Sequence, residues 1–141
     1  MGAVSLLEMT NTPQPKNTDL PRPLNQDERE LLVHVLKKFI ANAEKYLQQL
    51  GNSVVVGKCL CGCPTIDLWK VGEEEPPGER ARVFWGGNGT NAAGELLGLL
   101  LFQTDGVLSG LEIIPYGDER DCGMPRLDSI EELPLPPDCK Q

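Results

Sequence analysis

The dipeptide Asp105-Gly106 lies between two apolar runs, Leu96–Thr104 and Val107–Ile114, and no other feature constrains the fold so tightly. A two-residue loop of this composition favours left-handed backbone, whose twist matches that of paired strands. The runs are expected to form a β-hairpin. Simple closure pairs Thr104 with Val107, Phe102 with Ser109, Leu100 with Leu111 and Gly98 with Ile113. Opposed residues share a face. Leu96, Leu100, Phe102, Val107, Leu111 and Ile113 then make one apolar surface, the one expected to meet a helix. The other face carries Leu97, Leu99, Leu101, Leu108 and Ile114, interrupted by Gln103 and Glu112. A bulge at Gly106 would instead shift this register by one residue. Because neither face is cleanly polar, the second needs cover. Either the segment from Gly117 supplies it or another subunit does, and Leu127–Leu133, followed by Pro134, Pro136 and Pro137, reads as an extended tail laid across the sheet.

The helix is signalled further upstream. Asn25 is a good N-cap, Glu28 completes a capping-box pattern, and Asp27 and Glu28 sit at the positive end of the helix dipole. Leu32, Val35, Leu36, Phe39, Ala43, Leu47 and Leu50 recur at helical spacing, and Gly51 follows as a stop. The pattern predicts one long helix over about Gln26–Gln49. Ser53–Cys59, Thr65–Val71 and Arg82–Trp85 read as strands. Gly72–Ala81 is an acidic, proline-containing loop, and Gly86–Gly94 a glycine-rich one.

These elements fit a single α+β domain over residues 24–133, with one long N-terminal helix packed on a four- or five-stranded, mainly antiparallel sheet. Residues 1–23 hold Pro13, Pro15, Pro21 and Pro23 without periodicity and read as a disordered leader. Residues 134–141 read as a tail.

Composition removes several functional classes. The net charge of −8 argues against nucleic acid and anionic membrane surfaces, which need clustered Lys and Arg. The longest apolar stretch, Leu96–Phe102, is too short to span a bilayer. Met1–Thr10 has no positive n-region or apolar h-region, so Asn88-Gly89-Thr90 reads as loop rather than glycosylation acceptor, and a cytoplasmic location is expected. One histidine, His34, has no local partner for nucleophilic catalysis. Gly86–Gly94 lacks the Lys-Ser/Thr of a phosphate loop. Asp118, Glu119 and Asp121 lack the spacing of a calcium loop. Trp69 and Trp85 read as cross-strand or core packing, with an aromatic interaction anchor as the alternative.

Five cysteines remain, three of them at Cys59, Cys61 and Cys63. In a strand these would share one face. As thiolates they would form a zinc or redox site, completed by Cys122 or Cys139. Alternate strand residues splay their sulfurs, whereas structural zinc sites use wider pairs on turning backbone. Gly62 and Pro64 could supply that turn. The competing role is plain packing, since free cysteine is among the most buried residue types. Lys58 is the one nearby cation able to lower a thiol pKa.

Two stretches, Gly57-Lys58-Cys59-Leu60-Cys61-Gly62-Cys63-Pro64-Thr65 and Asp105-Gly106-Val107-Leu108-Ser109-Gly110-Leu111-Glu112, resemble a group of small uncharacterised bacterial proteins. That group combines a leading helix, a Cys-x-Cys-Gly-Cys-Pro-Ser/Thr segment and an Asp-Gly-x-Leu-Ser-x-Leu-Glu hairpin. The resemblance covers about residues 25–130 and implies a bacterial source and this order of elements. It brings no activity and no site residue.

The expected function is a non-enzymatic binding or interaction protein, of the antitoxin or immunity kind, with a protein partner or a second copy and no cofactor. An acidic surface complements a basic partner. The alternative is a cysteine-dependent zinc or redox protein using Cys59, Cys61 and Cys63.

Overall fold

The structure, a computed structural model, describes residues 20–59, 62–117 and 122–135. Among these the chain runs β1 (Arg22–Pro23), α1 (Gln26–Phe39), α2 (Ala43–Gln49), β2 (Ser53–Lys58) and β3 (Ile66–Lys70). It continues through β4 (Arg82–Thr90), β5 (Leu96–Thr104), β6 (Val107–Pro115) and β7 (Glu131–Leu133). The strands form one sheet in the order β1-β2-β3-β6-β5-β4-β7, every neighbour antiparallel.

The expected single long helix on a four- or five-stranded sheet is corrected on both counts. The described sheet has seven strands, because the short segments Arg22–Pro23 and Glu131–Leu133 pair onto its edges. Both carry prolines in or just beyond them and neither shows alternation, so neither reads as a strand. The helix is two short ones. The chain leaves α1 at Ile40, which is extended (φ −106°, ψ 122°), and restarts after Asn42. A straight helix of that full length would reach about 36 Å, beyond the roughly 30 Å of a nine-residue strand. The break changes the buried side. Tyr46, off the predicted stripe, is buried and stacks on Phe84 at 4.8 Å, while Leu47 is only partly covered.

The start of α1 follows its sequence. Asn25 accepts the Glu28 N–H at 2.8 Å, and the Glu28 carboxylate accepts the Asn25 N–H at 2.9 Å. Arg22 then grips the same carboxylate through two bonds of 3.0 and 2.9 Å. This pairing lets Glu28 sit 4% exposed without an orphaned charge.

The hairpin forms around Asp105 (φ 54°) and Gly106 (φ 84°), but its register differs from simple closure. Thr104 faces Val107, then Gln103 faces Leu108, and Phe102 faces Gly110. The extra residue is Ser109, whose hydroxyl accepts a bond from that of Thr104 at 2.9 Å. The slip therefore arises at Ser109 rather than Gly106. Beyond it Leu97, Leu99 and Leu101 stand opposite Pro115, Ile113 and Leu111. These leucines, with Leu111, Ile113 and Leu108, face the helices and are fully buried. Glu112 and Leu100 take the other side. The bulge thus gives the hairpin one face that is apolar except for Gln103 at its turn end, opposite Leu108, and one mixed face.

Gly86–Gly94 does not begin a loop, because β4 continues to Thr90. Gly87 explains why glycine belongs there: a Cβ would lie 2.5 Å from the Glu131 carbonyl oxygen and 2.6 Å from the Trp85 ring. The bare backbone lets β7 pair alongside and Trp85 lie flat beneath. Residues 122–130 then cover this end of the helix-bearing face, with Ile130 in the core and Pro125 against the Gly89 backbone.

Candidate functional site

The helices occupy one face of the sheet, and the opposite face carries the site. On β3, Ile66 and Leu68 point into the core, so Asp67 and Trp69 point away from the helices. Asp67 stands between Gly57 on β2 and Gly110 on β6. Gly57 leaves the room for its carboxyl, since a Cβ there would lie 2.6 Å from Asp67 Oδ2. Glu112 lies diagonally across on β6, and Phe102, opposite Gly110, adds an apolar wall from β5.

The loop after β3 closes this patch. To reach β4 the chain passes the hairpin turn, where Arg80 pairs with Asp105. Its Glu75–Gly78 stretch lines one side of a half-open pocket of about 330 Å³. Asp67, Trp69, Phe102, Glu112 and Glu75 all line it, together with the Thr104–Ser109 hydroxyl pair. Such a volume is at the small end of ligand sites.

Two properties set this cavity apart. First, Asp67, Glu75 and Glu112 have no ion-pair or hydrogen-bond partner among the described residues, where the four ion pairs use other side chains. Asp67 is exposed by surface area, and the partial burial around it pushes its carboxyl up from the ordinary value of 3.8. Second, Trp69 is 8% exposed and its indole N–H is buried with no acceptor among the described residues. A buried donor left unbonded is costly.

The same face is apolar beyond the cavity. Leu96, Ile114, Tyr116 and Leu133 are exposed on it, with Tyr116 lying over Gly98 and donating to the Asn88 side chain at 3.1 Å. Cover by the tail is therefore local: Leu135 lies against Gly86, while the helix-bearing face receives residues 122–130.

The cysteines lie elsewhere. Cys59 follows β2, its N–H directed to the Thr65 carbonyl at 3.4 Å, and it is disulfide-bonded. A disulfide sulfur offers no thiolate, the form that ligates metal. Cys63 is half-buried in the turn leading to β3, and Cys61 lies outside the described residues, as do Cys139 and the acidic run Asp118, Glu119 and Asp121. Cys122 is in the core, its carbonyl held by Asn91 at 2.8 Å, with β6 and β5 between its end of the sheet and the Cys63 turn. Among the described residues no three His, Cys, Asp or Glu side chains gather as a metal-binding group. His34 is half-buried on α1, its Nε2 enclosed and without a hydrogen-bond partner among the described residues.

Trp69 and Trp85 take opposite faces. Trp85 stacks on Phe39 at 5.3 Å inside the core, and Trp69 lines the cavity. Sequence reasoning missed Asp67, and treated Glu112 only as an interruption of an apolar face. The available signal was a lone carboxylate inside each of two apolar strands. Among the described residues no helix is long and apolar enough to cross a membrane. Comparisons with protein-family models, curated proteins and solved structures found no match for this chain.

Proposed function

We propose that this is a non-enzymatic binding protein of the cytoplasm, of the antitoxin or immunity kind, whose helix-free sheet face receives a basic protein partner. The observation that carries the reading is the set of carboxylates Asp67, Glu75 and Glu112, which make no ion pair among the described residues, in one pocket beside the exposed side chains of Leu96, Ile114, Tyr116 and Leu133. An apolar surface rimmed by charge of one sign is the usual composition of a protein contact, and the net charge of −8 speeds encounter with a basic surface. Capture from the native host tests it. A basic protein should be retained at low salt, released as ionic strength rises, and lost when Asp67 and Glu112 become Asn and Gln. Repeated recovery of the bait alone, or of a second copy of the bait alone, would remove the basic partner.

A second reading keeps the cysteine run as a thiol–disulfide centre, supported by the disulfide at Cys59. Native mass spectrometry after reduction, without chelator, separates its branches. Near-stoichiometric zinc supports a thiolate metal site, and metal-free thiols that reoxidise rapidly near neutral pH support redox exchange.

A further inference from the structure

We propose that the groove between α1 and Leu127 is a second docking surface, for an acidic amphipathic helix of a partner protein. It lies on the outer side of α1, away from the helix-free face, and does not depend on the reading above. The groove is open and about 600 Å³ in volume. Its floor is Val33 and Leu127, both half-buried against the core. Its rim holds Arg29, Lys37 and Lys38, all exposed, against the single carboxylate of Glu30. Glu30 is engaged within its own helix, where it accepts the Gln26 amide at 2.8 Å. None of the three cations makes an ion pair among the described residues, and the flanking Arg126 and Asp128 offset each other. In a chain of net charge −8 this is a local inversion of sign. The helix dipole accounts for Lys37 and Lys38 in the last turn of α1, but it works against Arg29 near the positive end.

Charge and spacing together set the occupant. Arg29, Val33 and Lys37 follow one row of α1 at four-residue steps. The two cations therefore stand about 12 Å apart along the helix, with an apolar side chain midway. A helix laid alongside offers the complementary row, carboxylate, aliphatic and carboxylate at the same step. An extended peptide would need a strand edge for its backbone groups, and the middle of a helix has none to spare. Nucleic acid would set phosphates on the rim but find no use for the apolar floor, and the rest of this acidic chain repels it. A second copy does not supply the row. On α2, Glu44 is followed at that step by Gln48, and neither described helix offers a carboxylate–aliphatic–carboxylate series to solvent.

Synthetic helices test the match. The probe is a fluorescein-labelled peptide of about 15 residues, built on Ala and Gln and stapled on its far side, with Glu-x-x-x-Leu-x-x-x-Glu on its near side. The full chain should bind it saturably by fluorescence anisotropy. In a ¹H–¹⁵N spectrum the amide signals of Val33, Lys37 and Leu127 should shift, while the Trp69 and Trp85 indole signals stay in place. Replacing both peptide Glu by Gln should weaken binding about tenfold, the worth of two exposed ion pairs. Arg29→Gln combined with Lys37→Gln should cost the same, with the Trp85 signal unchanged, and should add little to the loss already seen with the Gln peptide. No binding, equal binding of the Glu and Gln peptides, equal binding when the Leu is moved to the far side, or unaltered affinity in the folded double variant would overturn the proposal. Tighter binding of a DNA duplex than of the peptide would overturn it too, because the face would then read phosphate. Asp67→Asn and Glu112→Gln lie on the other side of the sheet and should bind the peptide as the wild type does; weakened binding there would place the peptide outside the groove.

Discussion

Asp67 makes no ion pair among the described residues to offset the loss of water around its carboxylate. Burial raises its pKa in the folded chain, so the folded state holds this proton more tightly than the unfolded state. Its stabilising contribution is complete below the unfolded value near 3.8 and is lost as pH rises through the higher folded value. Asp67→Asn is neutral throughout. Thermal melts should show the variant more stable than the wild type near pH 7, with the gap closing at about pH 3.5. Equal melting temperatures at neutral pH would contradict the account.

At the scale of elements, Gln49 shows how the helix break serves the fold. Its side-chain amide donates to the Gly106 carbonyl at 3.0 Å and accepts the Leu108 N–H at 2.8 Å. The end of α2 is thereby fixed to the hairpin. Gln49→Ala should cost about 1–3 kcal/mol, because the Leu108 N–H would lose its partner; denaturant titration measures this, and an unchanged midpoint would show that water replaces the amide. The hairpin strands and the α1 cap were legible because local rules decide them: Asp105-Gly106 fixes a turn, and Asn25 with Glu28 fixes a helix start. The break at Ile40 was not legible, since the apolar stripe runs through it. The bulge at Ser109 was equally hidden. It depends on which of two apolar faces meets the helices, and local spacing is silent on that choice.

For the whole molecule, strand order separates what the sequence places together. Trp69 and Trp85 flank one loop, yet β6 and β5 come between their strands. The site is assembled the other way, from β3, β5, β6 and the loop before β4, so its carboxylates are far apart in sequence. That is why the cysteine run drew notice and the cavity did not. The sheet itself is two antiparallel groups, β1-β2-β3 and β6-β5-β4-β7, joined between β3 and β6 at Ile66–Leu111 and Asp67–Gly110. Pro64 has no N–H with which to lengthen that junction. Thr65 extends it with a side chain, its hydroxyl accepting the Ile113 N–H at 2.9 Å and donating to the Ile113 carbonyl at 3.2 Å. Amides of β3 should therefore exchange with solvent faster than those of β5 facing β6, and Thr65→Val should widen the difference at a cost of about 1–3 kcal/mol. Uniform protection across the sheet would show the junction to be as firm as the hairpin.

The cavity lies over this junction, with Asp67 on one side and Glu112 and Phe102 on the other. Whatever fills it becomes a clasp across a seam, gripping both panels of the sheet at once. Occupancy would then be felt as stiffness far from the site, along two edges that the chain itself joins only briefly.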